Sequence, residues 1–231
     1  MGVKYKVNEQ FFNVWSNEMA YVLGFFFADG SMEDASYLRG KYIRFHNTEK
    51  SILINIKNLL NSQHKIKQIL KNEYSNRKVG YLLRIGSHKL YDSLIKYGLH
   101  PNKSLTITMP KIPKKYFGSF VRGYFDGDGC VYLELRPGQK QLKIIKKLTI
   151  IFTSGSRNFL EELRKQVNQA CQINRNSVYN SHRSYQLRYS TQESLRIYDL
   201  IYRDKNSKLF LKRKYNIFQK YLQMKNGRMV K

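Results

Sequence analysis

Residues 22–30 read Val22-Leu23-Gly24-Phe25-Phe26-Phe27-Ala28-Asp29-Gly30, and residues 121–129 read Val121-Arg122-Gly123-Tyr124-Phe125-Asp126-Gly127-Asp128-Gly129. The segments align without a gap at an offset of 99 residues. Three later blocks recur in the same order: Ile43-Arg44-Phe45-His46 as Ile150-Ile151-Phe152-Thr153, Leu83-Arg84-Ile85 as Leu187-Arg188-Tyr189, and Asn102-Lys103-Ser104-Leu105 as Asn206-Ser207-Lys208-Leu209. Repetition at a period near a hundred residues marks two related halves rather than a short-repeat solenoid. We place the halves at residues 1–107 and 116–231. The joining stretch, 108–115, contains Pro110 and Pro113 and reads as a semi-extended linker, because proline disfavours both helix interior and central strand.

Each half mixes helix and strand. Tyr42-Ile43-Arg44-Phe45-His46 alternates as a half-buried strand does, with Ile43 and Phe45 inward. A helix over about 51–60 carries Leu53, Ile56 and Leu60 on one stripe. Tyr81–Ile85 reads as a further strand, and Leu90, Leu94 and Ile95 mark another helix. The second half repeats the order with Val131-Leu133-Leu135, Ile150-Phe152, Phe159-Leu160-Leu163-Val167, Leu187-Tyr189 and Leu195–Ile201. The expected fold is α+β, two pseudo-symmetric αββαββα halves, each an antiparallel sheet with helices on one face.

The repeated segments place small residues four apart, Gly24 with Ala28 and Gly123 with Gly127. On a helix these share a face and allow a second backbone to approach closely. The following Asp-Gly predicts a helix that ends at the aspartate, with glycine in the left-handed terminating position. Packed together, two such helices bring Asp29 and Asp128 side by side at negative dipole ends, where two anions repel. A divalent cation relieves both conflicts, and clustered carboxylates suit Mg²⁺, with Mn²⁺ or Ca²⁺ as alternatives. The plainer reading is that each Asp-Gly forms a turn after a helix.

Lysine and arginine number 42 against 16 acids, a net charge of +26. Self-repulsion of that size points to a polyanionic partner, nucleic acid or an anionic membrane surface, although basic scaffold proteins share the balance. The longest apolar run, Ala20–Ala28, is well short of the roughly 20 residues of a spanning helix, which weakens the membrane reading. The N-terminus has no apolar signal core, and Lys6 stands where a myristoylation signal wants Ser or Thr. Cys130 and Cys171 lack pair spacing, which argues for a reducing, intracellular setting and against a zinc site.

Both nine-residue segments resemble the signature of the LAGLIDADG homing endonucleases in their single-chain, two-motif form. The likeness runs from about residue 17 to 221. It implies two antiparallel sheets forming a DNA-binding saddle about a pseudo-two-fold axis. It also implies a monomer without obligate protein partner, and cleavage of double-stranded DNA at a long site, across the minor groove, leaving 3′ overhangs. It implies metal-binding and catalytic roles for Asp29 and Asp128. It places Lys103 and Lys208 near the scissile phosphates, where positive charge favours the transition state. Those blocks are out of step by one residue, so Lys212 or Lys214 could stand in for Lys208. His46 and Thr153, ending equivalent strands, would border the pocket and order water. The sixth motif position departs between halves, Phe27 against Asp126. On a helix Asp126 points about 200° from Asp128, so we read it as structural or peripheral. Arg122, aligned with Leu23, is expected to leave the helix interface for solvent or the other protein layer.

Strand parity supplies candidate DNA contacts. With Ile43 and Phe45 inward, Arg44 and His46 face out, as do Arg84, Gln186, Arg188, Thr149 and Thr153. Tyr132, Glu134 and Arg136 share that face, and Lys65 and Lys67 complete the set. Such a surface suits a sheet that reads the major groove, although a merely solvated face has the same pattern. Two rivals stay open: an RNA-binding intron maturase, for which tyrosines would supply stacking surfaces, and a DNA-binding regulator without nuclease activity. The five histidines lack paired ligand spacing, which disfavours other nuclease types.

Overall fold

The first motif segment folds as a central helix because its apolar run leaves no polar face to give to water. Ser16 caps the helix by accepting from the Met19 amide, and Met19 to Phe27 are all buried. The computed structural model describes residues 5–38, 40–69, 79–138, 143–204 and 209–226. In the first half the order is α1 (Asn17–Asp29), β1 (Gly30–Ala35), β2 (Gly40–Asn47), α2 (Lys50–Leu59), β3 (Ile66–Ile69), β4 (Gly80–Gly86) and α3 (His88–Lys96). The second half runs α4 (Lys114–Asp128), β5 (Gly129–Pro137), β6 (Lys143–Ser154), α5 (Arg157–Cys171), β7 (Val178–Ser181), β8 (Ser184–Tyr189) and α6 (Thr191–Ile201), then adds α7 (Lys212–Lys225). Each half is therefore αββαββα, with strand orders β1-β2-β4-β3 and β5-β6-β8-β7, antiparallel throughout. The helix α7 has no counterpart among the described residues of the first half. The second motif helix begins at Lys114, inside the stretch read as linker.

Helices α2 and α3 cover the inner face of the first sheet, α5 and α6 that of the second, and α1 packs on α4 between them. One hydrophobic core runs through both halves, from Phe45 and Leu83 across Phe26, Phe27 and Phe120 to Phe152 and Leu187. Among the described residues no helix is long and apolar enough to cross a membrane.

The glycines explain how close α1 and α4 come. A Cβ on Gly24 would lie 2.0 Å from the Phe120 carbonyl oxygen, and one on Gly123 would lie 2.0 Å from that of Tyr21. The two contacts are images of each other at the 99-residue offset. Ala28 and Gly127 are also equivalent positions, and they face each other: a Cβ on Gly127 would sit 2.3 Å from the Ala28 methyl. Room exists for one methyl, and the first half has it.

Gly30 and Gly129 correct an expectation. Neither adopts the left-handed conformation; φ/ψ are −85/153 and −86/158, so the chain passes directly from helix into strand. Glycine is required instead by crowding, since a Cβ would meet the Phe26 ring at 2.4 Å or the Phe125 ring at 2.4 Å. Arg122 is corrected as to solvent: it is buried, donates to the Ile201 carbonyl at 3.0 Å and lies over the Tyr21 ring.

Candidate active site

Both sheets start at the tips of the motif helices. Gly30 pairs with Phe45 and Gly129 with Phe152, so the acid before each glycine faces the strand ends at His46–Asn47 and Thr153–Ser154. At the junction of the two helices the Cβ position of Gly127 is 3.5 Å from Asp29 Cγ. Asp29 is half-buried and Asp128 exposed, so solvent reaches both. Protein nevertheless crowds the carboxyl groups from the remaining sides. Desolvation raises the Asp29 proton affinity, against a hydrogen bond from Asn47 and the charges of Lys214, His46 and Lys103. Desolvation and then the Asp29 charge push Asp128 up to about 6, against Lys103 and Lys214. The Asn47 Nδ2 donates to Asp29 Oδ2 at 2.8 Å, whereas no hydrogen bond reaches the Asp128 carboxyl among the described residues.

Two buried lysines stand behind the acids. Lys103 Nζ donates to the Phe27 carbonyl at 2.7 Å and more weakly to that of Ala28 at 3.4 Å. Lys214 Nζ donates to the carbonyls of Phe125, Asp126 and Gly129 at 2.5, 2.8 and 2.6 Å. Each lysine thus donates to carbonyls at the C-terminal end of its motif helix, Lys214 also to the first strand residue, and puts positive charge at the negative dipole end. Burial lowers both to about 8, opposed chiefly by Asp128 for Lys103 and by Asp126 for Lys214. All three Lys214 donors are taken. Lys214, on α7, is the geometric counterpart of Lys103; Lys208 lies outside the described residues, and Lys212 opens α7 as an exposed side chain.

The sixth motif position divides the halves. Phe27 packs on Phe120 and Phe159. Asp126 is fully buried, accepts from the Tyr21 hydroxyl at 2.7 Å and the Leu211 amide at 3.0 Å, and is pushed up to about 6 by burial. It ties α4 to α1 and to the start of α7, away from the acids at the tip.

His46 is exposed at the end of β2, with its ring against Gly80, where a Cβ would come within 2.6 Å of Nε2. Thr153 occupies the equivalent place on β6, and its carbonyl accepts from the Tyr124 hydroxyl at 2.6 Å. The outward faces carry Arg44, Arg84, Lys67 and the neighbouring Lys65 in the first half, and Thr149, Tyr132, Gln186 and Arg188 in the second. Arg84 stacks on Tyr42 and makes a two-pronged bond to Glu33, which also holds Arg44. Arg188 folds onto the Gln186 amide oxygen. Glu134 takes Lys146 and Lys147. Beyond it the register slips, Glu134 facing Lys147 and Leu135 facing Ile145, so Lys146 is an extra residue in β6 and the alternation breaks on that strand, while Arg136 pairs with Ile144.

Sequence reasoning passed over Asn47, Glu33, Arg213 and Glu49. The strand runs one residue past His46, so Asn47 falls on the inner face and is buried, and at this last position that face meets the tip of α1. Arg213 of α7 pairs with Glu49 across the halves.

A family model of the LAGLIDADG-like domain matches residues 16–96 and again residues 118–213. The chain belongs to the LAGLIDADG family. Among solved structures, the homing endonuclease I-WcaI bound to its DNA recognition sequence is similar at 13% identity, covering 89% of this chain and 89% of that one, with a TM-score of 0.61. I-SmaMI bound to an uncleaved DNA target in the presence of calcium ions is 13% identical over 93% of each chain, TM-score 0.60. Mesophilic variants of the homing endonuclease I-DmoI are 18% identical, covering 80% of this chain and 94% of theirs, TM-score 0.54. At such identities the likeness to these structures is one of fold. No curated protein matches the sequence. In this LAGLIDADG chain the motif therefore does two jobs at once: its glycines set the backbone contact, and its acids end at the shared tip.

Proposed function

We propose that this protein is a site-specific, divalent-metal-dependent endonuclease that hydrolyses both strands of duplex DNA across the minor groove, leaving 3′ overhangs. The observation that carries the reading is the pair of crowded, solvent-reachable carboxylates at abutting helix tips, from which two basic sheet faces depart. The residues fit a divalent cation. Among the described residues Asp128 has no hydrogen bond to lose, its charge is opposed by desolvation and by Asp29, and hard oxygen donors suit Mg²⁺, which keeps several waters and needs few protein ligands. Among the described residues no third His, Cys, Asp or Glu joins the acids, which leaves positions for water and phosphate oxygens. Asp29 and Asp128 would hold the ion, and a bound ion supplies Lewis-acid polarisation of the phosphate and neutralises charge on the leaving 3′ oxygen.

The chain's own groups do the rest. Lys214, with all three donors on backbone carbonyls, favours negative charge at the tip through its field rather than by gripping phosphate, and Lys103 adds to the same field. His46, whose charge acts on Asp29, and Thr153, its counterpart on β6, would order water. The strand faces hold the duplex: arginines reach guanine edges, Gln186 suits adenine, and the net charge of +26 binds phosphates with steep salt dependence. Structures of I-WcaI and I-SmaMI with DNA, the latter with calcium ions, lend the reading support by analogy of fold.

The test is cleavage of a randomised duplex library in Mg²⁺ or Mn²⁺, with the ends sequenced. One discrete long site with 3′ overhangs is the expected product; no metal-dependent cut at any site overturns the proposal.

A further inference from the structure

Away from the helix tips, each sheet presents one arginine at an equivalent place on its outward face, Arg84 on β4 and Arg188 on β8, and the two are held by different means. Arg84 donates Nε and Nη2 to the two oxygens of Glu33 at 3.0 and 2.8 Å, and its guanidinium lies over the Tyr42 ring at 3.3 Å. Glu33 also takes Arg44 Nη1 at 3.5 Å, and Arg44 Nε donates to Ser31 at 3.1 Å. In the second half Tyr132 stands where Glu33 does, Thr149 where Tyr42 does and Ile151 where Arg44 does. Arg188 turns the same edge, Nε and Nη2, to one neutral acceptor, Gln186 Oε1, at 3.1 and 2.8 Å. Gln186 itself takes the place of Leu82.

A guanidinium carries five N–H groups in a rigid fork. In both arginines the side edge is spent on the holder. The end edge, Nη1 with the second hydrogen of Nη2, is turned away from it, and two parallel donors of this kind match guanine O6 and N7 in the major groove. The holders differ in what they permit. Glu33 grips through two charged oxygens, and such two-pronged bonds fix geometry as well as adding strength. Arg84 therefore keeps one orientation and meets two acceptors or none. Gln186 is neutral and holds Arg188 through one atom. Its carboxamide can turn from the arginine and offer oxygen and amide to adenine N6 and N7, while Arg188 left in place suits guanine.

We infer that Glu33 is a specificity-determining positioning residue: it confines Arg84 to guanine, whereas at the mirror position Arg188 with Gln186 takes either purine. The target is thus strict at this step of the first half-site and tolerant at the matching step of the second. The inference rests on the duplex-binding part of the reading above and involves neither the metal nor the cut.

The experiment is equilibrium binding of the full chain in chelator, first to a randomised duplex library and then to the selected duplex with each base pair replaced in turn. The wild type should show one step at which any base but guanine weakens binding by about 5–150-fold, the usual value of a two-pronged arginine–guanine contact, and a mirror step at which guanine and adenine bind alike. Arg84→Ala and Arg188→Ala locate the two steps by erasing one preference each. Glu33→Gln, which gives Arg84 a holder like that of Arg188, should open the strict step to adenine, leave the second half-site's preferences in place and cost mixed-sequence duplex no comparable affinity. Gln186→Glu should tighten the mirror step to guanine. A melting curve for each variant checks that the fold is kept, since damage to the sheet would weaken binding to every sequence alike. Glu33→Gln that discriminates as strictly as the wild type, or that weakens all duplexes equally, overturns the inference, as does an Arg84→Ala variant with every preference intact. Failure of the wild type to select any sequence from the library overturns the site-specific reading, and this inference with it.

Discussion

The tips of α1 and α4 differ in kind from the helix bodies behind them. Along the bodies symmetry is strict: a Cβ added to Gly24 or to Gly123 would meet the opposite backbone at the same 2.0 Å. At the tips it lapses. Ala28 faces Gly127, Asn47 answers to Ser154, Phe27 to Asp126, and a lysine holding two carbonyls to one holding three. Where two backbones touch, any side chain is a collision and both copies must stay glycine. One layer away there is space for different solutions, and the halves have taken them.

The sharpest way to break this comparison is to remove the acids one at a time. Asp29→Asn and Asp128→Asn should each reduce double-strand cleavage by more than about 100-fold, beyond what loss of a supporting residue alone costs, with duplex affinity in a filter or gel-shift assay little changed. A single variant that still made double-strand breaks at the wild-type rate would show that the acids are not partners. Next come the glycines. Gly24→Ala and Gly123→Ala should lower Tm by similar amounts, roughly 2–12 °C for an overpacking cost of about 1–3 kcal/mol in a chain of this size. Markedly unequal losses in differential scanning fluorimetry would contradict the two-fold contact.

Smaller and deliberately unequal effects belong to the lysines. Lys214→Met should be more destabilising than Lys103→Met by about 1 kcal/mol, one net hydrogen bond, because it breaks three hydrogen bonds rather than two; urea unfolding of the pair measures the difference.

The gentlest probe is pH. In the folded chain Asp128 titrates near 6 against an ordinary value of 3.8, so between those values the native state binds more protons than the unfolded one. Its contribution to stability therefore falls as pH rises from about 4 to about 6 in chelator. Asp128→Asn should flatten the melting-temperature profile over that window without levelling it, since buried Asp126 titrates there too. Added Mg²⁺ or Ca²⁺ should raise Tm near neutral pH in the wild type and leave the double Asn variant unmoved.

Much of the fold was legible because the repeat rests on residues with few substitutes. Gly24, Gly123 and the two Asp-Gly pairs are demanded by contact and crowding, so they recur where neighbouring side chains have drifted. Strand parity was readable from Ile43, Phe45, Leu83, Ile150 and Phe152, all fully buried. What stayed hidden depends on relations that periodicity does not encode. Asn47 has an inward position yet a polar task, because the sheet's inner face ends against a helix tip. Lys214 sits on a helix with no counterpart among the described residues of the first half, so the alignment of lysine blocks reached Lys208 first and left Lys214 as one of two stand-ins. The Glu33 clamp on Arg44 and Arg84 joins three strands, and the slip at Glu134 comes from Lys146, an extra residue in the partner strand.

The carbonyl-to-glycine contact also separates two kinds of change that such a protein can undergo. The approach of the two helices is set by main-chain contact at Gly24 and Gly123, while the side chains proposed to choose bases stand farther along the strands. On the proposed function, recognition would be rewritten residue by residue along the outward strand faces while the helix contact stays as it is, and a foreign half would dock on either side provided it brings a glycine to position 24 or 123.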